Sequence, residues 1–313
     1  MPQLLKPSAL RPGDAIRVLS LASPVKDDLL QKGCEELQSL GYVPEVDRAS
    51  VLASDSFFAG SAANRGAALQ TAFAESDSKA IFCSRGGYGS NYLLDSWSSP
   101  PARPKILLGS SDITSLQIFL WQKYRWVTFY GPMVASNFCR GAGAPQGYDR
   151  PSFTNAFTET SRGWTIALQN ESLIPSSAEG TVLGGCLTLL ETSLGTPWEL
   201  DTSGAILILE DRGMKPYQVD RALIHLKQAG KFRGVAGVIL GEFPECDPPE
   251  GGENVRDVAH RILTPLGVPI VWGAPIGHTE RAALTIPLGV RARLLAPAAD
   301  EPQLEILEPA CAA

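Results

Sequence analysis

Short apolar runs alternate with amphipathic segments along most of this chain. Residues 15–23, AIRVLSLAS, read as a buried strand. In the stretch that follows, Leu29, Leu30, Cys34, Leu37 and Leu40 fall at helical spacing, and Gly41 suits a C-terminal cap. KAIFCSRGGYGSNYLLDSW (79–97) repeats the plan of strand, glycine loop and helix. KILLGSSDITSLQIFLWQKY (105–124) repeats it again. This alternation predicts an α/β fold with a largely parallel sheet covered on both faces. Ligands of such sheets sit beyond the carboxyl ends of the strands, so the three loops should open onto one rim.

From about residue 140 to 177 the periodicity fails and Gly, Pro, Ser and Asn become frequent, which predicts a linker. A second strand, helix and strand follow in GAILILED (204–211), KPYQVDRALIHLKQAG (215–230) and GVAGVILGEF (234–243). AALTIPLGVRARLLAP and PQLEILEP then alternate like half-exposed strands. The expected organisation is an N-terminal α/β domain over 1–150, a linker over 151–177, and a smaller mixed α/β domain over 178–313.

The chain has 313 residues and a net charge of −6, with no basic block, which argues against nucleic acid as a partner. The start lacks the pattern of a secretory signal, and no run approaches the roughly 20 apolar residues of a membrane span. Six scattered cysteines form neither a CxxC nor a Cys/His cluster. A cytoplasmic protein with free thiols and no membrane association is expected.

Chemistry is suggested first by GSSDI, where a strand turns directly into a helix. Such a corner exposes its apical side chain, strains its backbone and aims a helix N-terminal N–H at any charge that forms there. A nucleophilic serine needs these features. The bland alternative is that Ser110, Ser111 and Asp112 only cap the helix. Of three histidines, His225 and His260 lie mid-helix, whereas His278 sits in a loop after a strand and a glycine and is the best candidate base. The orienting carboxylate falls on Glu210 or Asp211 at the end of GAILILED, and pattern alone leaves that choice open. SRGGYGS (84–90) lets backbone N–H groups approach a ligand but matches no nucleotide-binding motif.

Four segments, SRGGYGS, LLGSSDIT, ILEDRGMKPYQVDRAL and IGHTERAALTIPLG, together resemble in order and spacing the L,D-carboxypeptidases. These are cytoplasmic serine peptidases that include murein tetrapeptide carboxypeptidases and microcin C immunity peptidases. The resemblance implies a flavodoxin-like N-terminal domain and a Ser–Glu–His triad of Ser111, Glu210 and His278. It implies oxyanion donors from the N–H groups of Gly86 or Gly87 and of Asp112. It further implies a homodimer, a small peptide substrate, and no metal or cofactor. Two positions depart from the family pattern: Ser110 stands where an aromatic residue is common, and Cys186 where many members have Asn. No long aromatic-bearing insertion of the immunity type is present, which tilts the substrate towards murein tetrapeptide. Arg85 is a candidate partner for the substrate's terminal carboxylate, with a structural ion pair as its alternative. Three other functions stand against this reading: a microcin C-type immunity peptidase, a non-catalytic two-domain binding protein, and a cysteine hydrolase using Cys83.

Overall fold

In the computed structural model, residues 4–95, 97, 103–157, 163–248 and 251–312 are described. The N-terminal part contributes β1 (Ala15–Leu19), β2 (Val43–Glu45), β3 (Ser78–Cys83), β4 (Ile106–Gly109) and β5 (Thr128–Tyr130). Its helices are α1 (Asp27–Ser39), α2 (Arg48–Val51), α3 (Ala62–Ala74) and α4 (Thr114–Tyr124). After α5 (Arg150–Ala156) come β6 (Trp164–Ala167), β7 (Glu171–Ile174), β8 (Ser176–Cys186), α6 (Leu187–Thr192), β9 (Ala205–Glu210), α7 (Pro216–Gln228) and β10 (Gly237–Leu240). The chain ends with α8 (Val255–Leu263), β11 (Ile270–Trp272), β12 (Ile286–Leu288), β13 (Arg291–Ala296) and β14 (Gln303–Ile306).

These strands form two sheets, ordered β12-β5-β4-β3-β1-β2 and β6-β14-β13-β8-β9-β10-β11-β7. The first is parallel from β2 to β5, as the repeated strand–loop–helix plan requires. The helix expected after the glycine loop is only a 3-10 turn, Ser90–Leu93. In the second sheet β8, β9, β10 and β11 are parallel, and both flanks are antiparallel. The α/β class and the mixed second sheet agree with the sequence reading, but the second sheet is the wider of the two.

Two boundaries differ from expectation. The supposed linker at 151–177 holds most of α5, all of β6 and β7, and the start of β8. β6 and β7 close the two edges of the second sheet. Each is only four residues long and mostly half-exposed, as edge strands are, so neither shows a period that a sequence search could find. β12 leaves the C-terminal part and pairs antiparallel with β5, placing Ile286 opposite Tyr130. One contiguous buried cluster runs from Ile16, Phe82 and Phe129 through Tyr148 and Phe153 to Ile208, Ile239 and Leu294, so the halves share a core.

Phe153 of α5 is 1% exposed, and its ring contacts those of Tyr42, Phe82, Phe138, Tyr148 and Phe157. Phe153→Ala is expected to cost about 3–5 kcal/mol in denaturant unfolding, whereas a true linker would tolerate the change.

Candidate active site

The loops that follow β3, β4, β9, β10 and β11 line one cavity of about 540 Å³. Arg85, Gly86, Gly87, Ser110, Ser111 and His278 are all on its wall. This is the carboxyl rim on which parallel sheets place their ligands.

β4 ends at Gly109, and a 3-10 turn, Ser111–Ile113, leads into α4. Ser111 has φ +59°, the left-handed region that costs a residue with a Cβ about 1 kcal/mol or more. The strain expected of the corner is therefore present, and it falls on Ser111. Ser110 is 3% exposed, while Ser111 is half-buried at the cavity wall. Neither hydroxyl caps the helix. The Asp112 carboxylate turns away to accept the Ser90 N–H at 2.7 Å, and the Ser90 hydroxyl donates to the Asp112 carbonyl at 2.5 Å. Burial pushes the Asp112 carboxyl up, against the lowering effect of those bonds. Helix capping thus fails to account for these polar residues.

A tyrosine supports the strained turn. The Ser111 N–H donates to Tyr130 Oη at 3.0 Å, and that hydroxyl donates in turn to Glu210 Oε1. Tyr130 is fully buried at the end of β5. Burial and the Glu210 charge hold its phenol well above its ordinary value, so it remains a donor. Sequence reasoning missed Tyr130. The available signal was WVTFYG, a further apolar strand ending in a polar-tipped residue and a glycine at the same rim.

Glu210, at the end of β9, is 0% exposed. A buried carboxylate must have donors. Its Oε2 accepts from His278 Nδ1 at 2.8 Å and from the His278 backbone N–H at 2.9 Å. Gly277 makes this possible: its φ is +61°, and a Cβ there would lie 2.4 Å from Glu210 Cδ. Asp211 does not share this role. Its carboxylate accepts from the Thr188 N–H at 2.8 Å and the Thr188 hydroxyl at 2.7 Å. The Cys186 thiol also donates to Asp211, at 3.5 Å, and Cys186 is not on the cavity wall. The choice left open by the sequence is settled geometrically, in that the carboxylate on the imidazole is Glu210.

Burial pulls the His278 imidazole down, but the charge and hydrogen bond of Glu210, helped by Asp211, outweigh it and leave His278 above its ordinary value. With Nδ1 committed to Glu210, Nε2 is the nitrogen left for the cavity.

The glycine loop lies against the serine. A Cβ on Gly86 would stand 2.7 Å from Ser111 Cβ and 3.0 Å from its Oγ. Among the described residues, no protein acceptor takes the N–H groups of Gly86, Gly87 or Asp112. Arg85 is exposed at the wall; its Nη1 donates to the Pro24 carbonyl at 3.3 Å, and it forms no ion pair among the described residues. His225 is exposed beside Glu191 at 3.1 Å, and His260 is exposed on α8. Cys83 is completely buried, which pushes its thiol up and leaves the cysteine-hydrolase reading without an accessible thiolate. None of the six cysteines is paired.

The sequence matches the LD-carboxypeptidase N-terminal domain over residues 16–131 and the LD-carboxypeptidase C-terminal domain over 179–294. The chain belongs to the LD-carboxypeptidase family. Family relatives include a putative carboxypeptidase of Streptomyces coelicolor, 37% identical over 301 residues, or 94% of each chain. A probable murein peptide carboxypeptidase of Bacillus subtilis is 33% identical over 92% of this chain and 91% of its own. Among solved structures, the muramoyltetrapeptide carboxypeptidase of Oxalobacter formigenes superposes with a TM-score of 0.76 at 29% identity, covering 93% of this chain and 98% of that one. The microcin C7 self-immunity protein MccF superposes with a TM-score of 0.87 at 25% identity, covering 98% and 99%. Among the described residues no helix is long and apolar enough to cross a membrane.

The His278 ring is expected to titrate above the ordinary value of about 6.5, and lower in Glu210→Gln. NMR of the histidine ring protons measures both. Equal values in the two proteins would mean that Glu210 does not set the imidazole's basicity.

Proposed function

We propose that this LD-carboxypeptidase family member is a serine-type enzyme that releases the terminal D-alanine of a murein tetrapeptide. The observation that carries this reading is the convergence on one cavity of a serine in a strained strand-to-helix corner and an imidazole whose Nδ1 is held by a buried carboxylate. The names of the relatives and the cavity volume, within the range of about 300–1,000 Å³ that suits small ligands, support the substrate class.

In this mechanism His278 Nε2 takes the Ser111 proton as Oγ attacks the carbonyl carbon of the bond between the L- and D-configured centres. Glu210 fixes the tautomer and stabilises the imidazolium. The negative oxygen rests on the N–H of Asp112 and on that of Gly86 or Gly87; loss of one such donor typically costs about 100- to 1,000-fold in rate. His278 then protonates the departing amine as the C–N bond breaks, and water, activated by the same imidazole, hydrolyses the acyl-serine. Tyr130 holds both the Ser111 backbone and Glu210, so the two sides of the relay are positioned together. Arg85, exposed at the wall and without an ion pair, receives the free carboxylate of the leaving residue.

Mass spectrometry of L-Ala-D-Glu-diaminopimelate-D-Ala incubated with the protein is expected to show loss of D-alanine. Ser111→Ala should be at least about 1,000-fold slower. Hydrolysis of an aminoacyl-sulfamoyl adenylate without D-alanine release would point to the immunity branch instead. Arg85→Ala is expected to raise KM about tenfold with little change in kcat, and an unchanged KM would remove Arg85 from the site.

A further inference from the structure

The cavity has a charge that the relay does not use. Lys26, Lys32, Arg85 and Arg140 all line it, on a chain whose net charge is −6. All four come from the N-terminal half, and among the described residues none is ion-paired. Arg140 Nε is bonded only to the Ser136 carbonyl, at 3.3 Å. On the opposite wall, by contrast, Arg212 pairs with Glu245. The acids nearby are engaged as well. Asp27 holds Arg48, Glu36 accepts from the Tyr148 hydroxyl at 2.6 Å and lies 3.5 Å from Arg150, and Glu280 accepts from the Gln146 amide at 2.7 Å. Glu280 on the wall and Asp28, exposed on α1, form no ion pair among the described residues, so the four cations outnumber the free acids two to one.

Lys26 precedes α1, and Leu29 and Lys32 continue along one face of it, so the lysines are presented to the cavity by a rigid element. Arg140 closes a 3-10 turn, Phe138–Arg140, packed against that helix. A single cation suffices for the terminal carboxylate of a carboxypeptidase substrate, so three remain. Like charges held in one concave site repel one another, and an anionic ligand relieves that repulsion.

We propose that Lys26, Lys32 and Arg140 form a second carboxylate subsite, which reads acidic groups of the peptide on the N-terminal side of the scissile bond. The inference rests on the peptidase reading above and adds a substrate class: polycarboxylate stem peptides. In a murein tetrapeptide two such groups are available, the free carboxylate of the D-glutamyl residue and the side-chain carboxylate of diaminopimelate. A stem peptide with lysine at the third position lacks the second.

The test compares the parent tetrapeptide with three analogues: D-glutamyl carboxylate amidated, diaminopimelate side-chain carboxylate amidated, and lysine at position three. Binding to Ser111→Ala is measured by calorimetry, and kcat/KM for D-alanine release is measured on the wild type. At least one neutralised peptide should bind about 10- to 100-fold more weakly, and the analogue that does so identifies the carboxylate read. Lys32→Glu/Arg140→Glu should weaken the parent and bind parent and analogue alike; Lys32→Ala/Arg140→Ala, with its melting temperature, guards against a folding defect. Equal binding of all four peptides, or a preference that survives in both double variants, would overturn the subsite. Preferential binding without D-alanine release would leave the subsite standing and overturn the peptidase reading alone.

Discussion

A carboxylate with no access to solvent is the constraint around which this molecule is arranged. Glu210 sits at the end of a strand in the second sheet, and among the described residues neither lysine nor arginine is ion-paired with it. Stripping a carboxylate of water costs several kcal/mol unless donors replace that water. The replacements come from both halves: the phenol of Tyr130 from the first sheet, and the ring and backbone of His278 from the loop after β11. The loops that present Ser111 and His278 can therefore not be placed independently. Whatever satisfies Glu210 also sets where Ser111 and His278 stand.

The same arrangement separates rigidity from chemistry. Ser111 is held in a backbone conformation it would not choose, and the tether is a bond from its own N–H rather than from its hydroxyl. The hydroxyl is thus left to the cavity. Glu210 binds one edge of the imidazole and leaves the other edge to the cavity in the same way. The serine hydroxyl and the outer imidazole edge are free, and the groups that hold them, Tyr130 and Glu210, are buried.

Much of this was legible in the residues. The strand–helix repeats over 15–124 and 204–243 and the corner at Gly109 follow from periodicity. The resemblance to the family pointed to the serine and the histidine that the structure brings to one cavity, and to the glutamate buried behind the histidine. What escaped has physical reasons. β9 is buried at every position, so its pattern gives no facing and could not separate Glu210 from Asp211. β6 and β7 are edge strands of four residues each, too short and too exposed to show a period. Tyr130 looked like one more apolar residue, since nothing local marks a phenol whose partners are 19 and 80 positions away. The transfer of β12 to the first sheet is likewise a long-range pairing that no local signal encodes.

That transferred strand bears on how the enzyme can breathe. Because β12 is hydrogen-bonded to β5 and follows the loop that carries His278, swinging the halves apart as hinged jaws would have to unzip a sheet. Such ruptures are slow and energetically steep beside side-chain and loop motion. The mouth of the cavity consequently has a fixed span. Admission of one peptide and refusal of another then fall to the side chains at the rim, and evolution can retune that gate without disturbing the frame that holds it.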